Sequence, residues 1–202
     1  MIRDAEGTPI TPALLLHAYR ERAFPMADHR RGAIRWFRPE TRAVITWDRF
    51  RIPDSLRKTM RKAPYRLTVD RAFADVIAAC AQRRSTWISP AIEQLYTELH
   101  RLGHAHSVEA WDAAGALVGG CYGLAIGGVF SGESMFHRAD DAAKLCIVEL
   151  VARLRAGGFS VLDCQQQSPH MARFGAVEIG DDAYAALVAA APDARFPAGA
   201  DG

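Results

Sequence analysis

Two acidic side chains in this chain sit inside apolar sequence, where a carboxylate is costly to place. Glu133 lies within Phe130-Ser131-Gly132-Glu133-Ser134-Met135-Phe136, and Asp163 follows the apolar run Phe159-Ser160-Val161-Leu162. A carboxylate removed from water loses its hydration and persists only with hydrogen-bonding partners or a chemical role. Gln165 stands two residues beyond Asp163. On a strand, side chains alternate between faces, so an Asp-x-Gln ending points both polar groups the same way. The residues alone leave two readings open. Either Asp163 caps a turn and Glu133 is a satisfied buried acid, or the two belong to a site.

The rest of the composition narrows the class. Half of the 202 residues are hydrophobic, which suffices for a sizeable core, and the formal net charge is only +2. A balance this even does not by itself imply a nucleic-acid partner. No run of about 18 apolar residues is present, so no membrane-spanning helix is expected. The start, MIRDAEGTPITPALLL, has early acids and an apolar stretch too short for a secretory signal. Cys80, Cys121, Cys146 and Cys164 are scattered among apolar residues without a C-x-x-C pair. Buried free thiols in a reducing cytoplasm are the expectation.

Periodicity and punctuation place the elements. Residues 12–22 read as a helix, 24–42 as irregular and 43–47 as a strand. A short helix is expected over 54–62, then a strand over 65–69, with Asp70 capping a helix whose stripe is Phe73, Val76, Ile77 and Cys80. Ser89-Pro90 is a strong helix start, and Gly103 a stop. Residues 106–111 and 116–125 read as antiparallel strands, with another over 127–131. A helix opened by Asp140 or Asp141, a strand over 159–163, a short helix from Ser168-Pro169, a strand over 176–179 and a last helix over 182–190 follow. Strands in a meander followed by helix, strand, helix, strand give an α+β or α/β pattern. Three parts are expected: an N-terminal lobe over 1–60, the main domain over 61–190, and a loose tail over 191–202.

Arg57, Lys58, Arg61 and Lys62 share one helix face, with no acid among them. A cationic face of this kind suits phosphate contacts, although a solvated face of charge is the common alternative. His100 and His104 are four apart and His106 follows closely, but Gly103 interrupts them and no Cys or acid completes a set, so no metal is expected.

Eight segments occur in a fixed order: FPMAD (24–28), WFRPETRAVI (36–45), APYRLTVDRAFADVI (63–77), STWI (85–88), LGHAHSVEAW (102–111), LVGGCYG (117–123), FSGESMF (130–136) and LDCQ (162–165). Together they resemble the leucyl/phenylalanyl-tRNA–protein transferase family, over about Leu14 to Ile179. The resemblance implies a GNAT-like (acyl-CoA N-acyltransferase-like) mixed sheet flanked by helices. It also implies transfer of Leu or Phe from aminoacyl-tRNA to the α-amino group of proteins beginning with Arg or Lys, which marks them for degradation. No cofactor is implied, and the location is cytoplasmic.

Carried over residue by residue, the resemblance makes Asp163 and Gln165 the leading catalytic pair, with Glu133 beside the carried amino acid. Cys121, Phe130, Ile147, Leu150 and Leu162 would form the aminoacyl pocket, where core packing is the alternative. Trp87 would stack on the terminal adenosine, helped by Met26, with Tyr19 near the substrate. Arg57, Lys58, Arg61 and Lys62 would hold the acceptor stem. The chain departs from the family's pattern at Cys121, where Met is frequent, at Leu150, where an aromatic can stand, and at Met26, where some members have Trp. A front segment shorter than is usual in the family is expected. One rival is a coenzyme A-dependent N-acetyltransferase. That class needs a Gly-rich loop opening a helix, whereas Phe136-His137-Arg138-Ala139 has no glycine. The other is a tRNA- or substrate-binding module that has lost catalysis.

Overall fold

A computed structural model describes residues 1–197. In chain order the elements are α1 (Pro12–Arg20), β1 (Phe24–Ala27), β2 (Ile34–Phe37), β3 (Thr41–Thr46), α2 (Asp54–Lys62), β4 (Arg66–Val69), α3 (Phe73–Ala81) and α4 (Pro90–Arg101). They continue with β5 (Ala105–Trp111), β6 (Leu117–Ile126), β7 (Val129–His137), α5 (Ala142–Ala156), β8 (Val161–Gln165), α6 (Pro169–Ala172), β9 (Val177–Gly180) and α7 (Asp181–Ala190).

Local signals explain most boundaries. At α4, Ser89 accepts the Ile92 amide at 3.3 Å, Pro90 occupies the first turn, and Ile92, Leu95, Tyr96 and Leu99 are buried on one stripe. α2 buries only Leu56. Residues 24–42, expected to be irregular, instead hold the antiparallel pair β1–β2, joined through Phe24↔Phe37 to Ala27↔Ile34. Strands of four residues carry too little alternation to stand out among prolines and arginines. Asp70 does not cap α3, whose start has no side-chain cap. Its carboxylate accepts from the Ser107 amide at 2.8 Å and contacts His106 Nδ1 at 2.7 Å, tying β4 to β5.

The large sheet runs β4-β5-β6-β7-β8-β3-β9 and is antiparallel except for β7 beside β8. This is the expected mixed sheet flanked by helices. α1, α3 and α4 cover one face through Leu15, Phe73, Val76, Ile92 and Tyr96, and α5 covers the other through Cys146, Leu150 and Leu154. α7 closes the β3–β9 end through Tyr184. Gly119 lets α5 approach: a Cβ there would lie 2.6 Å from that of Ala142. β3 lies N-terminal to residue 60 yet pairs with both β8 and β9, inside the main sheet. Of the tail, Phe196 packs against Phe130 and His106, with ring centroids 5.6 and 4.2 Å away; residues 198–202 lie outside the described part.

The sheet splits at one place. β7 and β8 pair only through Val129↔Val161, Phe130↔Leu162 and Ser131↔Asp163, while β7 continues to His137. Each strand is irregular just there. The β6–β7 register passes from Gly123↔Gly132 to Tyr122↔Ser134, skipping Glu133. The β3–β8 register passes from Val44↔Asp163 to Ala43↔Gln165, skipping Cys164. Bulges of this kind re-aim side chains and end pairing. Gln165 leaves the strand with φ of 60°.

Candidate active site

The two bulges bring Glu133 and Gln165 together across the split, with Gln165 Nε2 donating to Glu133 Oε1 at 3.0 Å. Two buried tyrosines reach the same carboxylate. Tyr19 of α1 donates to Oε1 at 2.6 Å, and Tyr96 of α4 lies 3.2 Å from Oε2. The tyrosine hydroxyls are 2.5 Å from each other. Three oxygen–oxygen contacts therefore share two phenolic protons, and a proton on Glu133 would complete the set. Loss of solvation on burial pushes the Glu133 carboxyl up to about 7, against the hydrogen bonds from Tyr19 and Gln165, which favour the anion; neighbouring Asp163 adds to the rise. Burial, and then the negative charge of Glu133, raise both tyrosines well above the ordinary phenol range.

Asp163 is sealed off at 0% exposure. Its Oδ2 accepts from Arg42 of β3 at 2.8 Å and from Tyr184 of α7 at 2.7 Å, and its Oδ1 accepts the Gln165 amide at 2.7 Å. Arg42 is itself 2% exposed and lies between the rings of Phe24 and Tyr184, about 5 Å from each centroid. Its other terminal nitrogen donates to the Arg22 carbonyl at 2.5 Å. Burial raises the Asp163 pKa, while the guanidinium, the phenol and the amide oppose that rise. Both oxygens are thus committed. Asp163 anchors the backbone of Gln165, and the alternation expected for Asp-x-Gln is broken by the bulge at Cys164.

A cavity of about 320 Å³ opens beside Glu133. Glu133, Trp87, Cys121, Ile147, Leu150 and Cys164 line it, with Tyr122, Met135 and Met171 among its other walls. Of the five residues expected to form an apolar pocket, Cys121, Ile147 and Leu150 face it. Phe130 and Leu162 do not: both are fully buried in the core, Phe130 against Phe159 and Phe196. Their positions near the start of the β7–β8 pairing direct them into the layer under α5. Met26 is partly buried against the α1–α4 core and does not line the cavity, although the Ala27 amide beside it bonds the Trp87 carbonyl at 3.3 Å. Arg57, Lys58, Arg61 and Lys62 are all exposed on α2, with Arg57 3.6 Å from Asp54.

Sequence reasoning missed Arg42, Tyr96 and Tyr184. Arg42 carried the same signal as the two acids, a charge beside the apolar run Ala43-Val44-Ile45. Tyr96 and Tyr184 sat on ordinary helical stripes and gave none. Among the described residues, no group of three or more His, Cys, Asp or Glu is placed to hold a metal ion. His100 Nδ1 instead contacts the Ala105 carbonyl at 2.8 Å. Among the described residues, no helix is long and apolar enough to cross a membrane.

A site in which an amide-bonded acid lines a largely apolar cavity suits an enzyme that handles an apolar acyl group, and comparison with known proteins specifies which. The family model for leucyl/phenylalanyl-tRNA protein transferase matches residues 44–189, and that for its N-terminal domain matches residues 8–40. The chain belongs to the leucyl/phenylalanyl-tRNA–protein transferase family. A relative so named from Rhizorhabdus wittichii is 50% identical over 96% of this chain and 79% of its own length. One from Salinibacter ruber is 49% identical over 87% and 77%, and one from Rubrobacter xylanophilus 51% over 84% and 88%. Among solved structures, L-PGS from Bacillus licheniformis is 14% identical, with a TM-score of 0.47 over 64% of this chain and 47% of that one. That likeness is too distant to bear on the site.

Proposed function

We propose that this transferase moves Leu or Phe from the 3′ end of aminoacyl-tRNA to the α-amino group of proteins beginning with Arg or Lys, marking them for degradation. The observation that carries the reading is Glu133, bonded to Gln165, lining a largely apolar cavity of about 320 Å³ beside Trp87. A cavity of this size, lined by Cys121, Ile147 and Leu150, suits one unbranched-at-Cβ apolar side chain.

The donor ester is already activated, so the chain has mainly to orient two substrates and manage protons. In the reaction a C–N bond forms, the ester C–O bond breaks, the tRNA 3′ oxygen leaves with a proton, and the amine gives one up. Glu133 faces the cavity and suits the α-ammonium of the carried amino acid. Gln165 spends its amide nitrogen on Glu133, leaving its carbonyl oxygen to accept from the incoming amine. Asp163, Arg42 and Tyr184 act as positioning residues, holding Gln165 through its backbone amide. Trp87 supplies a stacking face for the terminal adenosine, and the cations of α2 suit the acceptor-stem phosphates. A reaction that consumes aminoacyl-tRNA belongs where translation runs, in the cytoplasm.

The test is transfer of labelled Leu and Phe from charged tRNA to peptides beginning with Arg, Lys, Asp or Ala. Transfer to the Arg and Lys peptides alone is expected. Charged tRNA that binds but is never consumed would leave a binding module instead.

A further inference from the structure

A second cavity, of about 630 Å³, adjoins the first and shares Arg83, Met135 and Ser168 with it. None of the residues placed above in the acyl site accounts for it. Its remaining polar lining includes His137, Lys144, His170 and Asp140. Lys144 is paired with Asp141 at 2.6 Å, and Asp141 also accepts from Thr59 of α2 at 2.7 Å. The rim of this cavity is therefore tied to the helix that carries Arg57, Lys58, Arg61 and Lys62.

Basic groups cluster at its His170 end. Burial holds the His170 imidazole below its ordinary range, and Lys144, His137 and Arg173 add to the effect. The Asp141 charge is already taken up by Lys144 and Thr59. His170 Nε2 is buried and has no hydrogen-bond partner among the described residues, so the imidazole is not committed to the protein. A pocket with an uncommitted imidazole, beside an ammonium shared with Asp141 and the Arg83 guanidinium, suits an anion.

We propose that this cavity binds a phosphodiester of the donor's single-stranded 3′ end, next to the adenosine whose ester lies in the first cavity, with His137, Lys144 and His170 as the contacting groups. This rests on the donor reading above and adds a site for the phosphates nearest the reacting bond. The terminal nucleoside alone would leave this cavity unfilled. Each added phosphate would then strengthen donor binding before any contact with the tRNA body.

The experiment compares two donors carrying the same amino acid, an aminoacyl-adenosine without phosphate and a trinucleotide ending in that aminoacyl-adenosine. The readouts are transfer to an Arg-initiated peptide and, independently of turnover, anisotropy binding of labelled, non-hydrolysable amide analogues of both. In the unaltered protein the trinucleotide is expected to bind more tightly, with inorganic phosphate competing away that advantage. Lys144→Gln and His170→Asn, made separately, should each shrink the trinucleotide-to-nucleoside ratio about tenfold, the scale of a hydrogen bond to a charged group. Lys144→Gln should also lower the salt slope of trinucleotide binding by about 0.7. A ratio unchanged in both variants overturns the proposal. So does a loss shared equally by the two donors. If the variants raise only the KM of the acceptor peptide, the cavity belongs to the acceptor's basic side chain through Asp140, and the proposal also falls. Absence of transfer from either donor would bring down the proposed reaction, while the binding ratio would still decide the phosphate site.

Discussion

Tyr19 donates its hydroxyl to Glu133 at 2.6 Å, so a residue of the first helix bears on the charge of the acid at the sheet's split. That bond favours the anion, and burial opposes it, leaving the carboxyl near pH 7. If the anion is the form that meets the donor's ammonium group, transfer should rise as pH passes upward through about 7. Tyr19→Phe removes a stabiliser of the anion and should move this acid limb to higher pH, by about half a unit to one unit. A pH–rate series on both proteins checks it. An unmoved limb would show that Glu133 does not govern the step.

The same acid makes stability depend on pH. Its folded pKa of about 7 lies above the ordinary 4.5, so the native state holds the proton more tightly. The contribution is complete below about 4.5 and is lost as pH rises through about 7, up to about 3 kcal/mol. Glu133→Gln cannot ionise, yet its carbonyl can still accept from Tyr19. Urea unfolding between about pH 5 and 8 should show a flatter dependence for the variant, with equal or greater stability at the upper end. A variant as pH-dependent as the parent would contradict this.

Arg42 and Asp163 form a pair with both members out of water. Removing one leaves the other as an uncompensated buried charge, at about 3–5 kcal/mol. Arg42→Met and Asp163→Asn should each unfold at clearly lower urea, whereas Arg42→Met with Asp163→Leu should lose less than the sum of the single changes. Tyr184→Phe, which removes one donor of three, should cost about 1 kcal/mol. Strict additivity in the double variant would mean that the two groups do not compensate each other.

Leu150 and Cys121 face the cavity while Phe130 and Leu162 stand behind it. Leu150→Phe should fill space that a phenylalanine ring needs. It should lower kcat/KM for Phe relative to Leu by about tenfold, within the range that small volume changes supply in an apolar pocket. Leu162→Val, a core change, should lower stability by about 1 kcal/mol and leave the Leu-to-Phe ratio unaltered. Competition between the two donors in one tube reads the ratio directly.

The fold was legible where a physical signal was local. Ser89-Pro90 announced α4, and the alternation in 106–111 and 116–125 announced a meander. β1 and β2 were not legible, because four residues rich in Arg and Pro give no period to count. The carboxylates stood out as charges in apolar runs, but their partners did not. Arg42 is 121 residues from Asp163, and no local pattern encodes a contact at that distance. The two bulges were equally hidden. Alternation predicted a shared direction for Asp163 and Gln165, and a skipped residue at Cys164 turned Gln165 toward Glu133 instead.

β3 is made early and paired late. Its neighbours, β8 and β9, begin at Val161 and Val177, so during synthesis it leaves the ribosome long before either strand it will lie between. Both of its edges stay unpaired until β8 and then β9 have emerged. Pairings so distant in sequence raise contact order and slow folding, because a long loop must close before any contact rewards it. Arg42 rides on that strand, and Tyr184 lies just beyond its last neighbour. A chain made only as far as β8 therefore cannot hold Asp163 in place, and the platform under Gln165 is completed only once α7 has emerged.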